Sequence, residues 1–458
     1  FQPQNSGPWC ERLITFVQSL SASFCSLSSK QQHPNIINRT SSSDIQESFT
    51  TLLCEVSVIP AVFSSVSDAA CNVLGELAIL APNVVIPLFL KRAIPALEPL
   101  QQDVARPSTE GKCALQAICT CAPVIFSSSF VEHHSSLLSH IVSSLDANDL
   151  SKSTVVFKIL TIAIPLISTD LFIELSPVVL SNLLHLCSSL GAVHGHKDKK
   201  IVDRDFSITL KLSFDLLFSR SFKESSELFS RLTDSVLSFI TDSRLAPGIA
   251  KIVSVLCQSL GSVLFLPSPS SSSSSSTEIF DKFLSSSLIH VNRESADNDA
   301  QWWLIILSGL LKTSGPSVLH HSESVASLLS HFLIPPAPEQ FDTARAASRL
   351  LKNFIWTSSS TIIATSSPSE DSTSNHHAAW EFALKFLSPA LDRIKKSCTT
   401  ASGSPSQDEW KQARVDLLIV KAVSNGMALV LPSIIIPPEP KTAEQIGPSG
   451  LAVLCSYF

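Results

Sequence analysis

Glycine is scarce, at 13 among 458 residues, and there is one tyrosine and one methionine. Few glycines argue against a glycine-turned β-sandwich or a nucleotide fold built on glycine loops. No P-loop, GxGxxG, GxSxG or HExxH pattern occurs, and no Ser/His/Asp set is tied to one element. Charged residues make up only 16%, and the net charge of −6 is mild for this length. That balance gives no reason to expect nucleic acid or an anionic membrane as a direct partner. The most apolar runs, Ile159–Ile167 and Met427–Ile436, are interrupted by proline and shorter than the ~18 residues of a membrane span. No basic-then-apolar leader opens the sequence as given. Phe1 is not an initiator and the sole methionine is Met427, so the chain reads as a fragment of something longer.

What is present is leucine, serine, isoleucine and valine in helical periodicity, 44% hydrophobic in all. The 11 cysteines are scattered, Cys54, Cys71, Cys187 and Cys257 among them inside apolar helical segments, which suits buried thiols in a reducing compartment. The sequon Asn38-Arg39-Thr40 is read as chance.

The clearest unit is Ile141–Leu175. Asp146, Asn148 and Asp149 make a polar turn, with Asp146 and Asn148 expected to cap it. Ser151 opens an apolar segment in which Val155, Ile159 and Ile162 recur at helical spacing. Pro165 is expected to end or kink it. The same grammar recurs. Helices are predicted at Trp9–Leu27, Ile45–Val58 ending at Pro60, Val66–Leu80, Val84–Ala96 opened by Pro82, Lys112–Phe126 and His133–Leu145. After 151–167 come Ile173–Leu190, starting near Pro177 and stopped by Gly191, then Phe206–Phe222, Ser226–Ile240 and Gly248–Leu264. The series resumes at Glu278–Val291, Asp299–Leu311, Ser317–Phe332, Phe341–Trp356, His377–Cys398 and Glu409–Leu431. About sixteen segments with a pair period near 40 residues fall in the HEAT/armadillo range. An all-α solenoid of stacked helix pairs is expected.

The organisation follows: residues 1–43 a partial repeat and polar loop, 44–266 HEAT-like repeats, 267–277 a serine-rich insertion, 278–356 further repeats, 357–375 a Ser/Thr-rich loop, 376–431 a helix pair and 432–458 a proline-rich tail.

No residue is assigned a catalytic, cofactor or metal role, and no enzyme activity is expected. His133-His134, His320-His321 and His376-His377 are adjacent pairs, whose side chains point about 100° apart on a helix and cannot chelate one metal from one face. His194-Gly195-His196 lies in a charged loop, 194–205, without zinc-type spacing around it. Cys113, Cys119 and Cys121 read as buried thiols. Trp302-Trp303 opens a helix, one ring expected in the core and the other on the helix edge, with a binding hot spot as the minor alternative. Lys197, Lys199, Lys200 and Arg204 form a basic cluster diluted by Asp198, Asp203 and Asp205. A solvated loop is the first reading and an anion contact the second.

Three blocks carry a resemblance. Pro82-Asn-Val-Val-Ile-Pro-Leu-Phe-Leu-Lys-Arg-Ala-Ile-Pro-Ala-Leu-Glu98, the Asp146-Ala-Asn-Asp149 turn within Leu145–Lys152, and Trp380-Glu-Phe-Ala through Phe386-Leu-Ser-Pro-Ala-Leu391 occur in an order and spacing similar to the middle of the large HEAT-repeat proteasome activators. That is the family of proteasome activator complex subunit four and its bleomycin-sensitivity-type relatives. The similarity runs from about Val66 to about Arg393, best over 82–167. It implies a segment of an ATP-independent activator that caps the α-ring of the 20S core particle, opens its gate and promotes degradation of peptides and of unfolded or acetylated proteins. It further implies acetylated histones as partners, a link to DNA repair, residence in nucleus and cytoplasm, and inositol phosphate bound by basic residues. No motif here matches those basic ligands residue by residue. The family's anchor, a C-terminal hydrophobic-Tyr-x tail, is not matched by Ser456-Tyr457-Phe458, because Ser456 is polar; the anchoring repeats are read as missing. The alternative is a HEAT-repeat transport receptor or assembly scaffold, although the acidic inner-face runs and asparagine ladders of importin-like arrays do not stand out.

Overall fold

The computed structural model describes residues 8–31, 43–63, 67–97, 109–194, 204–241, 249–264, 281–285, 297–313, 316–335, 341–359, 371–399 and 406–429. The serine-rich insertion, the proline-rich tail, Lys197, Lys199, Lys200 and His196 lie outside them. Among the described residues there is no strand. The fold is an all-α solenoid of helix pairs, divided into two compact units, residues 1–232 and 233–458.

In the first unit the helices are α1 (Pro8–Gln31), α2 (Ser43–Phe63), α3 (Ser67–Leu80), α4 (Pro82–Leu97), α5 (Thr109–Ile125), α6 (Val131–Ser143), α7 (Leu150–Leu166), α8 (Thr169–His194) and α9 (Arg204–Glu224), with α10 (Ser226–Thr241) following. They form two layers. One runs α1, α3, α5, α7, α9, each packed on the next; the other runs α2, α4, α6, α8. A lone amphipathic pair cannot hide its apolar stripe, so each pair buries it against the next and the core extends along the stack. Val85, Ile86, Phe89 and Ala93 of α4 and Ala114, Leu115, Ile118 and Cys121 of α5 are buried in that core.

The second unit repeats the plan with α11 (Ala250–Leu264), α12 (Asp297–Leu311), α13 (Ser322–Leu333, preceded by a 3-10 turn Pro316–His321), α14 (Phe341–Ser359), α15 (Asp371–Thr399) and α16 (Gln407–Gly426). Here α11, α12, α14 and α16 pack in sequence as one layer. Helix α16 opens with a capping box: Ser406 Oγ accepts from the Glu409 N–H while Glu409 accepts from the Ser406 N–H.

Hydrogen bonds between successive helices of a layer measure the repeat. Their partners lie 48 (Asp68–Gln116), 39 (Lys112–Ser151), 56 (Phe157–Ser213), 55 (Gln258–Thr313) and 46 (Leu311–Thr357) residues apart. The separations run from 39 to 56, at or above the expected period near 40.

Several boundaries differ from expectation. Helix α2 continues through Pro60 to Phe63. The carbonyl that Pro60 leaves without its helical donor belongs to Val56, a residue on the exposed side of the helix. Helix α8 starts eight positions before Pro177, at Thr169, and runs past Gly191 to His194. The loop placed at 194–205 is thus shorter, since Arg204 and Asp205 belong to α9. By length and composition α8 passes for a membrane span over Thr169–Leu190, a feature hidden by reading it as a shorter helix. Half of that window is buried inside the unit, which is the environment of a packed core helix.

The Ser/Thr-rich stretch 357–375 is not wholly a loop. Thr357, Ser358 and Ser359 end α14 and are buried, their hydroxyls returned to carbonyls of Leu311, Ile355 and Trp356. Residues 371–375 open α15. Small hydroxyl side chains satisfy themselves on nearby backbone, so polarity alone does not mark a loop.

Candidate functional surface

Helices α5, α7 and α9 line an open groove of about 700 Å³. Lys112, Gln116, Cys119 and Thr120 come from α5, Leu150, Ser151, Thr154, Val155 and Lys158 from α7, and Asp205 and Phe206 from α9. Helical spacing explains the set: Lys112, Gln116 and Thr120 recur every fourth residue, as do Ser151, Val155 and, one residue short, Lys158. Lys112 Nζ donates to Ser151 Oγ at 2.7 Å, and Gln116 Nε2 to Asp68 Oδ1 at 2.5 Å. These bonds tie the layer together and line the groove with polar groups that suit recognition. Nothing in it pairs a nucleophile with a base. Burial pushes the Cys119 thiol above its ordinary pKa, against the opposing influence of Lys158, so the sulfur stays protonated.

The turn that seats this groove is built by side chains. Asp149 is the N-cap of α7, its Oδ1 accepting from the Lys152 N–H at 2.9 Å and from Ser151 Oγ at 2.8 Å. Asp146 Oδ1 accepts from the Asn148 N–H at 2.8 Å, and Ser153 Oγ donates to the Asp146 carbonyl while accepting from the Asp146 N–H. Asp146 therefore caps as expected. The helix cap itself is Asp149 and not Asn148, whose backbone is the donor in this turn. The sequence signal was available: Asp149 directly precedes Leu150, where the helix begins.

The far end of α7 is closed by Arg220 of α9. Its guanidinium donates to the carbonyls of Ile164 and, at 2.8 Å, Ile167, stacks 4.5 Å from the Phe172 ring centroid, and pairs with Glu224 at 3.4 Å. A cation at a helix C-terminus satisfies carbonyls left over by the helix. This residue was not singled out from the sequence.

The histidine pairs separate in space. His134 is buried, with Nε2 2.8 Å from the Ile125 carbonyl, while His133 lies beside Glu132 at 3.5 Å. His321 Nδ1 is 3.1 Å from Asp281, and burial holds its pKa below the usual histidine value in spite of that carboxylate. His376 lies 2.9 Å from the Ser359 carbonyl, and His377 is 3.2 Å from Glu381. Among the described residues no group of three or more His, Cys, Asp or Glu is placed to hold a metal ion. Burial raises the Cys54 and Cys71 thiols to about 12 and pushes Cys121 up further, while Cys113 is half-buried. Trp302 and Trp303 are both buried, so neither ring sits on the helix edge, and the helix begins before them at Asp297. Among the described residues an exposed tryptophan is instead Trp410 on α16, two turns before exposed Leu417.

Paired helices, two layers and a continuous core define a HEAT-type α-solenoid, and its described surfaces are suited to binding. Residues 1–175 match the family model described as proteasome activator complex subunit 4, mid HEAT repeats region. The Danio rerio proteasome activator complex subunit 4A is 23% identical over 377 residues, covering 72% of this chain and 20% of that protein. The chain thus spans about a fifth of the curated relative it matches. The resemblance in 82–167 lies inside the matched region, which extends it back to residue 1. Among solved structures, importin beta covers 99% of this chain and 56% of its own at 12% identity and a TM-score of 0.32. The karyopherin Kap121p bound to the extreme C-terminus of the phosphatase Cdc14p covers 96% and 55% at 13% identity and a TM-score of 0.28.

Proposed function

We propose that this chain is a middle segment of an ATP-independent proteasome activator, one that caps the α-ring of the 20S core particle and promotes gate opening and degradation of peptides and proteins. The observation that carries the reading is the match of residues 1–175 to the middle HEAT repeats of proteasome activator subunit 4. The described helix pairs offer grooves and faces for protein contact, which supports a role exercised by binding. On this reading the protein works in nucleus and cytoplasm, with acetylated histones among its substrates, a link to DNA repair, and inositol phosphate as a ligand.

The test is co-purification of the natural protein with 20S core particles, together with hydrolysis of a fluorogenic peptide. Binding with faster hydrolysis is expected without ATP. Failure of both overturns the reading and favours the transport-receptor or scaffold alternative.

A further inference from the structure

Cations mark the outer arc of α14. Arg345, Arg349 and Lys352 recur at i, i+4 and i+7, so they share one face and step about 6 and 4.5 Å along the axis. The other sides of the helix are taken: Asn353 reaches Ser308 of α12, Phe354 packs on Phe382 of α15, and Ile355 meets Gly426 of α16. Helix α16 adds Lys411, Arg414 and Lys421. Its Arg414 guanidinium lies 4.0 Å from the centroid of the Phe341 ring, and Arg345 lies 5.5 Å from the same centroid. That shared ring puts Arg414 on the same side as the α14 stripe. Phe341 begins α14 and Ile355 nears its end, so the two helices run in the same direction, with Lys421 level with Arg349.

The carboxylates of these helices do not neutralise the arc. Helix α14 has one, Asp342, which pairs with Arg345 at 3.4 Å. In α16, Asp408 lies 3.7 Å from Lys411, Glu409 closes the capping box, and Asp416 is buried against Arg393 on the side of α15. Among the described residues, Arg349, Lys352, Arg414 and Lys421 meet no carboxylate within ion-pair distance. Arg349, Arg414 and Lys421 are exposed and Lys352 is half-buried. Like charges gathered on one face repel one another, and an anionic partner relieves that repulsion.

We propose that the arc shared by α14 and α16 docks an acidic peptide segment of a partner protein, extended along α14 with carboxylates on alternate residues. Charge complementarity sets the sign of the partner. Spacing sets its form: alternate side chains of an extended chain point the same way about 6.5 Å apart, close to the step from Arg345 to Arg349. Arg414 and Lys421 make a second row beside the first. Stacking on Phe341 holds two guanidinium planes, which bind carboxylates through paired hydrogen bonds. The same stacking covers the ring on which a base would otherwise stack, and so favours a peptide over single-stranded nucleic acid. The surface belongs to α14 and α16 alone, and stands or falls separately from binding to the 20S core particle.

Fluorescence anisotropy with the intact natural protein tests it. The probe is a fluorescein-labelled peptide of alternating Glu and Thr, long enough to span α14, and its Gln–Thr counterpart is the neutral control. Saturable binding of the acidic peptide is expected, weakening as salt is added, with no binding of the control. Arg349→Glu combined with Lys421→Glu is expected to lower affinity about tenfold or more, with circular dichroism unchanged. Arg349→Gln with Lys421→Gln, which removes the charges and adds none, is expected to fall between that variant and the natural protein. Equal binding of the two peptides overturns the proposal, as does natural affinity in the neutral pair. So does an oligothymidylate that binds more tightly than the acidic peptide and is lost in the same variants, which assigns the arc to nucleic acid.

Discussion

The two units join successive helices of a layer by different means. In the first, long charged or amide side chains make most of these bridges: Gln116 to Asp68, Lys112 to Ser151, and Arg220 to the end of α7, with the short Ser213 hydroxyl on the Phe157 carbonyl as the exception. In the second, the helices come close enough for short side chains and bare backbone to meet. A Cβ at Gly309 would lie 2.7 Å from the Ser254 carbonyl, and one at Gly426 3.0 Å from Ile355. Asn353 reaches both the carbonyl and the hydroxyl of Ser308, and Thr357 the carbonyl of Leu311. The same repeat can thus be held by reach or by contact. The first tolerates adjustment, because a long side chain can move; the second does not, because a helix backbone cannot.

The sharpest break in this contrast is a deeply buried charged tie of the second unit. Arg393 of α15 holds Asp416 of α16 through Nε and Nη2, the shortest bond being 2.6 Å, and Asp416 is 2% exposed. Removing the arginine strands a carboxylate in the core, with only Gln412 left at 3.1 Å. Arg393→Met is expected to cost about 3–5 kcal/mol, the range for an uncompensated buried charge. Arg220→Met leaves neutral carbonyls at a helix end and is expected to cost less, about 1–3 kcal/mol. Chemical denaturation followed by tryptophan emission reads the first, since Trp9 alone of the six tryptophans lies in the first unit. Circular dichroism reads the second. Equal losses would erase the distinction drawn here.

Glycine provides the next test. At Gly261 the atom that a Cβ would strike is the Leu310 carbonyl of the facing helix, with the Leu310 backbone behind it. At Gly75 it is the Thr120 Cγ2 at 2.8 Å, the end of a side chain on an exposed residue. Gly261→Ala is expected to destabilise by about 1–3 kcal/mol through overpacking. Gly75→Ala needs only a threonine rotation and regains helix propensity of about 0.5–1 kcal/mol, so its net change is expected near zero or favourable. Denaturation midpoints of the two variants decide it, and a harmless Gly261→Ala would refute packing by contact.

Much of this architecture was legible because helical periodicity and small polar turns are local signals. Helices such as Ser67–Leu80 and Ser226–Thr241 lie within a residue of their expected bounds. Prolines misled at Pro60 and Pro177, through which α2 and α8 continue. The Ser/Thr tract after Trp356 misled because tertiary packing buried hydroxyls that composition assigned to solvent. The ties Arg220–Ile167 and Arg393–Asp416 were not legible, since partners 53 and 23 residues apart meet only once the helices stack. The groove at Lys112, Ser151 and Asp205 was hidden for the same reason. The Asp146–Asp149 turn was found, but its cap was misplaced by one residue.

That cap supplies the gentlest test of a tie by reach. Burial of the turn would raise the Asp149 pKa, but the hydrogen bonds from the Lys152 N–H and Ser151 hydroxyl, with the charges of Lys112 and Lys152, outweigh it and hold it below the ordinary aspartate value. Because the folded pKa is depressed, the stabilisation is fully present above the unfolded pKa of about 3.9 and is lost as pH falls through the lower folded value. Asp149→Ala is expected to cost about 1 kcal/mol near neutral pH, the usual worth of an N-cap. The gap between the natural protein and this variant should close as the solution is acidified below about pH 4. Asp149→Asn keeps an oxygen for the Lys152 N–H and loses the charge, so its own cap contribution should not titrate. Stability measured for the three proteins at neutral and acidic pH separates the hydrogen bond from the charge. A gap that persists unchanged in acid would mean that the carboxylate contributes as an acceptor alone, and that Lys112 and Lys152 add nothing to the hold on α7.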